Sequence, residues 1–209
     1  MVPSARMILA SESPRRRELF AAVGVPFRVV PSGVDEIPRS GESPTRFVRR
    51  AALDKGEAVA KLYPTTFVLS ADTIVVADGR ILGKPRDRAE ARRMLSRLAG
   101  REHRVYTAVC LLRRDRGFRD LGTEVTRVRF RPLTAAEVAA YARTGECDGK
   151  AGAYAAQGAG MLLIDRVAGS FSNVVGLPMT RVVAMLARAR LIRVARSGPA
   201  WYAFAGGAR

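Results

Sequence analysis

The pattern of hydrophobic and polar positions changes its period several times along the chain, so the sequence predicts strands and helices in mixed order. Short apolar runs bounded by polar residues, such as MILA from Met7 to Ala10, are typical of buried strands. Longer segments, such as PTRFVRRAALDKGEAVAKL, repeat apolar residues at helical spacing. The predicted strands are 6–11, 26–32, 65–72, 101–114, 117–130 and 161–167, and residues 75–82 are predicted to form a hairpin. The predicted helices are 14–23, 44–63, 87–100, 133–145 and 178–190.

Capping and turn residues mark several of these boundaries. Ser13, Ser43 and Thr134 each stand at the start of a predicted helix, where a side-chain oxygen can accept a hydrogen bond from a free backbone amide. Asp78-Gly79 separates two apolar runs and predicts the turn of a β-hairpin. Strands and helices mixed in this order predict an α/β fold with a mixed twisted sheet and flanking helices.

Length and composition fit one domain that is large enough to bury a core. The chain has 209 residues, of which 48% are hydrophobic and 26% are charged. We expect residues 1–191 to form this domain and residues 192–209 to form a basic, loosely ordered tail. No apolar run approaches the roughly 18 residues that cross a bilayer, and the apolar stretch at the start is too short for a signal peptide. We therefore expect a cytoplasmic protein without a membrane partner.

The few cysteines and the single histidine exclude several kinds of site. Cys110 and Cys147 cannot form a disulfide framework, and His103 alone cannot build a multi-histidine metal site. A catalytic triad would have to use His103, and no nucleophile-elbow pattern supports one. Any metal would therefore be a hard cation held by carboxylates, with Mg²⁺ or Mn²⁺ as the candidates.

Positive charge is in large excess, with 36 lysines and arginines against 19 acidic residues and a net charge of +17. This balance indicates polyanionic ligands, although arginines scattered over solvated helix faces would give the same total. One hypothesis is a basic nucleic-acid-binding regulator. Aromatic residues make up only 7% of the chain, and no RNA-binding or helix-turn-helix signature is present. The sequence therefore argues against nucleic acid as the main partner.

The strongest local concentration of charge lies at the first predicted helix. Ser11 ends a strand, Ser13 begins the helix, and Arg15, Arg16 and Arg17 occupy its first turn. A helix N-terminus is already positive, so further cations are unfavourable there unless they face an anion or extend into solvent. If they face a ligand, the arginines and the free helix amides together suit a multiply charged phosphate.

Other candidate residues lie at predicted strand ends and in loops. Asp72 ends a buried strand, where an aspartate can hold a metal ion or orient a water molecule. Asp35 and Glu36 follow the second strand and suit a hard metal ion. Lys84, in the LGKP loop, is either a phosphate contact or a surface residue. Gln157 offers both a donor and an acceptor, as reading the edge of a pyrimidine base requires.

The order of the motifs carries a family resemblance. The segments SESPRR, GVDE, SADTIVV, LGKP, RVYTAV, GKAGAYAAQG and GSFSNVVGLP closely resemble the Maf family of nucleotide pyrophosphatases, over residues 8–191. The resemblance implies a mixed-sheet α/β fold with two lobes around a central cleft, related to the inosine triphosphate pyrophosphatases. It also implies hydrolysis of a nucleoside triphosphate to the monophosphate and pyrophosphate with a divalent metal, and it is compatible with a homodimer.

The resemblance further implies a substrate and roles for single residues. The AYxxQG and GSxSNVVGLP patterns resemble the branch of the family that acts on dTTP and UTP, whereas the alternative is 7-methyl-GTP or another modified nucleotide. Asp72 matches the proton acceptor. The positions associated with substrate choice are Arg16, Thr73 and Gln157. The positions that line the phosphate pocket are Ser11, Arg15, Lys55 and Lys84.

The metal ligands are implied without being fixed. A Mg²⁺ or Mn²⁺ ion held by Asp72, with Asp35 or Glu36, would bridge phosphate oxygens and lower the pKa of a bound water. Asp72 would then act as general base or position that water. Members of this branch often carry Asp-Lys-Ala-Gly before the Ala-Tyr pair, whereas a glycine precedes the lysine here. If that aspartate binds metal, Asp148 or Glu146 would have to replace it.

Overall fold

Helices and strands are mixed along the residues that the computed structural model describes, which are 7–195 and 201–206. The helices are α1 (Pro14–Ala21), α2 (Pro44–Leu62), α3 (Arg88–Leu98), α4 (Ala135–Arg143), α5 (Phe171–Val175) and α6 (Met179–Arg188). The strands are β1 (Met7–Ala10), β2 (Phe27–Val29), β3 (Phe67–Ala77), β4 (Arg80–Leu82), β5 (Glu102–Arg113), β6 (Phe118–Phe130), β7 (Ile164–Ala168), β8 (Ile192–Val194) and β9 (Tyr202–Phe204). No helix among these is long and apolar enough to span a membrane.

The main sheet has seven strands in the order β2-β1-β3-β5-β6-β7, with β4 paired to β3. Strand β1 runs parallel to both of its neighbours, so that Leu9 lies opposite Val29 of β2 and Leu69 of β3. Strands β4 and β7 are antiparallel to β3 and β6. This mixed sheet with flanking helices confirms the predicted α/β fold.

The local signals at helix starts and at the hairpin are also confirmed. Ser13, Ser43 and Thr134 each accept a hydrogen bond from the backbone amide three residues later. Asp78 and Gly79 both have positive φ angles, 49° and 72°, as a two-residue turn between twisted strands requires. Short polar side chains at these positions therefore determine where the elements begin and reverse.

The chain divides into two compact units, and the first is built around β1. This unit consists of Met1–Asp72, Ala108–Thr123 and Gly176–Arg209. Alternate side chains of β1 belong to different hydrophobic clusters. Met7 and Leu9 pack in a cluster that includes residues of α1 and α6, whereas Ile8 and Ala10 pack in one that includes residues of α2. Strands covered by helices on both faces read as continuous apolar runs, which explains MILA.

The second unit packs helices α3 and α4 against the strands that it contains. It consists of Thr73–Thr107 and Glu124–Val175. Leu95 of α3 and Val138 of α4 share a hydrophobic cluster with Val128 of β6. The alternate residues of β6, Arg127 and Arg129, are exposed. This strand is therefore covered on one side only, and its sequence alternates between apolar and charged residues.

The segment after residue 191 differs from the expected loose tail. Strands β8 and β9 pair antiparallel, and Tyr202 and Phe204 pack against the hydrophobic cluster of the first unit. Burial of these apolar side chains explains why the segment is ordered. The sequence prediction gave more weight to its arginines and missed these contacts. Residues 196–200 and 207–209 lie outside the described residues, and the predicted domain limit at residue 191 stays a prediction.

Candidate active site

The sequence placed Asp72 at the end of a strand, and the structure corrects this. Strand β3 continues through Asp72 to Ala77 because its apolar pattern extends past the aspartate. The neighbouring strand β1 stops at Ala10, opposite Ser70. Asp72 therefore lies beyond the carboxyl end of β1. Ligands of α/β sheets bind beyond the carboxyl ends of parallel strands, so the position still suits a functional carboxylate.

Asp72 forms a buried ion pair with Lys55. The Lys55 Nζ atom lies 2.8 Å from Asp72 Oδ1 and also pairs with the carboxylate of Glu36. Asp72 is 1% exposed and Lys55 is 5% exposed. Asp72 Oδ2 is buried and has no hydrogen-bond partner among the described residues. A buried acceptor without a partner is unfavourable, so this oxygen is suited to accept a hydrogen bond or bind a cation from a ligand.

The surroundings of Asp72 favour its protonated form. Burial raises the pKa of Asp72 above its ordinary value, while Lys55 lowers it, Glu36 raises it and Arg16 lowers it. Burial is the largest of these influences, so the net direction is upward. A carboxylate with a raised pKa is a stronger base, which is the property that a general base at neutral pH needs.

A close approach of α2 to β3 brings Lys55 to Asp72. A Cβ atom at Gly56 would lie 2.7 Å from the Oγ atom of Ser70, so only glycine fits there without movement. The Ser70 hydroxyl in turn donates to the carbonyl oxygen of Ala52 at 2.6 Å. Gly56 and Ser70 therefore set the distance between the helix and the strand, and Lys55 stands next to Gly56 in the sequence.

The loop that carries Glu36 is attached to α2 by Arg50. Arg50 Nη2 donates to the carbonyl oxygen of Ile37 at 3.0 Å and forms an ion pair with Glu42 at 2.7 Å. The hydrogen bonds from Arg50 lower the pKa of Glu42 to about 2. Both ends of the short segment after Glu36 are thus attached to one arginine, which keeps Glu36 beside the helix that bears Lys55.

Arg16 is fixed at the start of α1 by backbone carbonyls. Its Nε atom donates to the oxygen of Gly176 at 2.8 Å, and its Nη1 atom donates to the oxygen of Ala71 at 2.9 Å and to Ser11 Oγ at 3.4 Å. Burial lowers the pKa of Arg16, while the charge of Asp72 acts in the opposite direction. The predicted proximity of this arginine to the acidic position in β3 is therefore present in the structure.

Two of the three predicted metal ligands meet at Lys55. Glu36 and Asp72 both contact its ammonium group, and the exposed Asp35 precedes Glu36 in the sequence. Within residues 7–195 and 201–206, no group of three or more histidine, cysteine, aspartate or glutamate side chains could hold a metal ion. Neighbouring side chains of an extended chain point in opposite directions, so two adjacent carboxylates do not guarantee two ligands. Asp35, Glu36 and Asp72 stay the predicted metal ligands, and of these the structure brings Glu36 and Asp72 together at Lys55.

These two carboxylates fit the way in which Mg²⁺ binds to nucleotide enzymes. Mg²⁺ commonly takes one or two carboxylates and completes its shell with water and substrate phosphates. Asp72 Oδ2 is an unpartnered buried oxygen among the described residues, and the side chain of Glu36 is 32% exposed. The pair therefore offers one fixed and one accessible oxygen donor.

In the second unit, Thr73 belongs to a buried polar network. Its hydroxyl lies 2.9 Å from that of Thr107, which donates to the carbonyl oxygen of Asn173 at 3.2 Å. The Asn173 amide donates to the oxygen of Val105 at 3.1 Å and to Thr126 Oγ1 at 2.9 Å. Thr107 and Asn173 belong to the motifs RVYTAV and GSFSNVVGLP, and the sequence alone assigned neither residue a role. The sequence feature that could have identified them is a polar residue within a segment that is otherwise apolar.

Lys84 and Gln157 are both exposed in loops of the second unit. The loop of Lys84 contacts the glycine-rich stretch, because the amide of Gly152 donates to the oxygen of Gly83 at 3.1 Å. The predicted site residues are thus distributed over both units. The first contains Ser11, Arg15, Arg16, Asp35, Glu36, Lys55 and Asp72, and the second contains Thr73, Lys84 and Gln157.

The single histidine has a structural environment. His103 is 2% exposed, its Nε2 atom lies 2.8 Å from the hydroxyl of Tyr154, and burial lowers its pKa from 6.5 to about 4. The unfolded chain takes up a proton at the ordinary pKa, whereas the folded protein takes it up only near the lowered one. We expect the contribution of His103 to stability to be present above pH 6.5 and to be lost as the pH falls towards 4.

Denaturant unfolding at a series of pH values tests this expectation. Between pH 6.5 and 4, the free energy of unfolding of the parent protein should fall by on the order of 3 kcal/mol more than that of His103→Phe. Phenylalanine keeps an aromatic ring beside Phe130 and Tyr154 but cannot be protonated. Equal losses in the two proteins would show that His103 does not contribute to the acid sensitivity.

Known proteins resemble this chain over most of its length. The dTTP/UTP pyrophosphatase of Syntrophomonas wolfei is 47% identical over 180 residues, which cover 86% of this chain and 95% of that protein. The dTTP/UTP pyrophosphatase of Symbiobacterium thermophilum is 51% identical over 181 residues, 87% of this chain and 92% of that protein. The solved structure of the Staphylococcus aureus Ham1 protein has 15% sequence identity and a TM-score of 0.43, over 59% of this chain and 71% of that chain.

The family match covers both units of the structure. The family described as Maf-like protein matches residues 6–189, which include every predicted site residue from Ser11 to Gln157. This coverage establishes the family, and so do relatives that are about 50% identical over more than four-fifths of the chain. The chain belongs to the Maf family.

Proposed function

We propose that this protein hydrolyses dTTP and UTP to the nucleoside monophosphate and pyrophosphate. The observation that carries the proposal is the buried Asp72–Lys55 pair, 2.8 Å apart, with the guanidinium of Arg16 nearby. Asp72 Oδ2 has no hydrogen-bond partner in the part of the chain that the structure describes. Relatives named dTTP/UTP pyrophosphatase, one of them 51% identical, support this choice of substrate.

In this proposal, the cations of the first unit bind the triphosphate. Water cannot easily attack a phosphorus atom surrounded by negative oxygens, so those charges must first be neutralised. Arg15, Arg16 and Lys55 supply positive charge, and the positive N-terminal end of α1 adds to it. This role explains why cations stand in the first turn of α1, where an isolated helix would favour acidic residues.

Asp72 accepts a proton in the proposed reaction or positions the water that attacks. The water oxygen forms a bond to phosphorus, the α–β anhydride bond breaks, and pyrophosphate leaves with the bonding electrons. If Asp72 is the base, its Oδ2 atom takes the proton from the water. The raised pKa of Asp72 favours this transfer, because the carboxylate is then a better proton acceptor.

A divalent cation is part of the proposal, and Glu36 and Asp72 are the residues that would hold it. When bound, an ion of the Mg²⁺ or Mn²⁺ class neutralises phosphate charge and polarises the phosphate oxygens. Thr73 and Gln157 contribute to the choice of base in this proposal, and Lys84 contributes a phosphate contact.

The proposal also places the protein in the cytoplasm. Cys110 and Cys147 are both buried and free, which fits a compartment where thiols are kept reduced. A homodimer stays a prediction from the family resemblance.

A pyrophosphate-release assay over a panel of nucleotides tests the proposed function. The panel contains dTTP, UTP, CTP, ATP, GTP and 7-methyl-GTP, each with Mg²⁺, with Mn²⁺ and with a chelator. We expect kcat/KM for dTTP and UTP to exceed the others by at least about tenfold, and the chelator to remove activity that added Mg²⁺ restores. Fastest release from 7-methyl-GTP, or equal rates for all nucleotides, would contradict the proposed substrate.

A further inference from the structure

Glu146 holds together the segment 154–160, called the loop 154–160 below, which carries Gln157 and ends in the first turn of a 3-10 helix, Gly158–Leu163. The Oε1 atom of Glu146 accepts a hydrogen bond from the amide of Ala159 at 2.9 Å, and the Oε2 atom accepts one from the amide of Gly160 at 3.0 Å. One carboxylate therefore binds two consecutive backbone amides on the carboxyl side of Gln157.

Tyr141 extends this attachment to the other side of Gln157. Its hydroxyl accepts a hydrogen bond from the amide of Ala155 at 3.0 Å and donates one to Glu146 Oε2 at 3.3 Å. Gln157 lies between Ala155 and Ala159 in the sequence. Its backbone is thus attached on both sides to a hydrogen-bonded pair at the end of α4.

The loop packs tightly around the carboxylate. Gly158 has a φ angle of +65°, and a Cβ atom there would lie 2.5 Å from Glu146 Oε1. A Cβ atom at Gly160 would collide with the carbonyl oxygen of Ala155. The backbone hydrogen bond from Ala159 is the largest influence that lowers the pKa of Glu146, so the side chain is ionised at neutral pH.

These contacts give Glu146 a different role from the metal ligand that the sequence had suggested as one option. Both of its oxygens accept hydrogen bonds from backbone amides of the loop. Charge-assisted bonds of this kind are stronger than bonds between neutral groups. These bonds fix the position of the loop. The loop carries Gln157, the exposed side chain that is predicted to select the base.

We propose that Glu146 is a positioning residue for base selection, which fixes the loop 154–160 and thereby the approach of Gln157 to the pyrimidine ring. This inference rests on the proposed function, in which Gln157 reads the base. Uracil and thymine present an N–H donor next to carbonyl acceptors, whereas cytosine presents an acceptor next to an amino donor. A glutamine amide matches either pattern if it is free to reorient, so discrimination requires that its position be fixed.

The variant Glu146→Gln tests the inference because it keeps size and removes one acceptor. A glutamine amide has one oxygen, so its NH₂ group must face the amide of either Ala159 or Gly160, donor against donor. We expect the ratio of kcat/KM for UTP to that for CTP to fall at least about tenfold. The loss should lie in KM for UTP, with kcat within about twofold of the parent, because the groups proposed for the chemistry are untouched.

Glu137→Gln is the matched control. Glu137 also accepts hydrogen bonds from a backbone amide and from a neighbouring side chain, at the other end of α4, and its pKa is lowered to about 2. It belongs to the capping box of Thr134. We expect this variant to lose stability without changing the ratio of UTP to CTP. An equal change of the ratio in both variants would overturn a positioning role for Glu146.

A double-mutant cycle with Gln157→Ala separates the possible failures. If Glu146 acts through Gln157, then Glu146→Gln should not change the ratio further in the Gln157→Ala background. If Gln157→Ala changes the ratio and Glu146→Gln does not, the positioning role is wrong and the proposed base selection stands. If Gln157→Ala leaves the ratio unchanged, base reading by Gln157 is itself wrong.

Tyr141→Phe keeps the inference testable if Glu146→Gln does not fold. This variant removes the acceptor for the amide of Ala155 and the donor to Glu146, and it leaves the carboxylate in place. We expect a fall in the ratio of UTP to CTP in the same direction but of smaller size. An unchanged ratio in a folded Tyr141→Phe protein would count against control of Gln157 by this loop.

Discussion

Asp72→Asn is expected to release pyrophosphate from dTTP at least about a hundredfold more slowly than the parent protein, since general bases typically contribute this much or more. Asparagine keeps the size of the side chain but cannot accept a proton at neutral pH. The affected oxygen, Asp72 Oδ2, is buried and has no partner among the described residues. Lys55 and Arg16 are unchanged, so nucleotide binding should remain. Initial rates and calorimetric binding measure the two properties separately.

Asp78→Asn is the control for this experiment. Asp78 lies in the turn between β3 and β4 at a φ angle of 49°, which asparagine adopts readily, and its partners are Arg97 and Arg101. We expect the rate of this variant to stay within about twofold of the parent, as for a surface substitution. If Asp72→Asn kept more than about a tenth of the parent rate, Asp72 would not have the proton-accepting role.

Lys55→Met is expected to lower the free energy of unfolding by about 3–5 kcal/mol, because removing one member of a buried ion pair leaves an uncompensated charge. Lys55 is 5% exposed and its partner Asp72 is 1% exposed, so water cannot readily replace the lost ammonium group. Activity should be lost as well, because a cation proposed to bind phosphate is removed. Denaturant unfolding and the pyrophosphate assay provide the two measurements.

The loss of stability should depend on pH. Burial already raises the pKa of Asp72 above the ordinary value of 3.8 while Lys55 lowers it, so Lys55→Met should raise it further. An acid whose folded pKa is raised gives stability that is complete below the unfolded pKa and is lost as the pH rises through the folded pKa. The deficit of Lys55→Met should therefore shrink as the pH falls through the raised pKa of Asp72, because its carboxyl group then becomes neutral.

Two further variants make this prediction specific. Adding Asp72→Asn to Lys55→Met removes the unpaired charge, so the double variant should regain most of the lost stability. Lys61→Met changes an exposed lysine of the same helix and should alter stability by less than about 0.5 kcal/mol. If the double variant were no more stable than Lys55→Met alone, the buried charge of Asp72 would not be the cause of the loss.

The sequence predicted the elements wherever their signals are local. Caps at Ser13, Ser43 and Thr134 and the turn at Asp78-Gly79 act through hydrogen bonds and backbone angles within a few residues. Such features are set by the residue types themselves. The helices and strands that they bound were correspondingly close to the observed ones.

Features that depend on packing between distant segments could not be predicted in the same way. The end of β3 was misplaced because Asp72 looked like a terminus, whereas the strand continues to Ala77. The five-residue helix α5 was missed because so short a segment shows no helical period. Strands β8 and β9 were missed because each has only three residues, which is too few to show an alternating pattern.

The sequence indicated which residues belong to the candidate site, but it did not indicate which of them contact one another. A lysine in the middle of α2 gives no sign of its partner, which depends on the fit of Gly56 against Ser70. Asp35 and Glu36 looked equivalent in sequence, yet only Glu36 contacts Lys55. The sequence offered Glu146 as an alternative metal ligand and gave no sign of its two amide partners, which come from a loop that folds back onto it.

The central claim is that Arg16, Lys55 and the start of α1 hold the triphosphate next to Asp72. The most direct test is a crystal structure of Asp72→Asn with Mg²⁺ and a dTTP analogue whose α–β bridge cannot be cleaved. We predict phosphate oxygens within about 3.2 Å of nitrogen atoms of Arg16 and Lys55, with the α–β bridge beside residue 72. A triphosphate bound elsewhere on the protein, with neither of these side chains in contact, would contradict the claim.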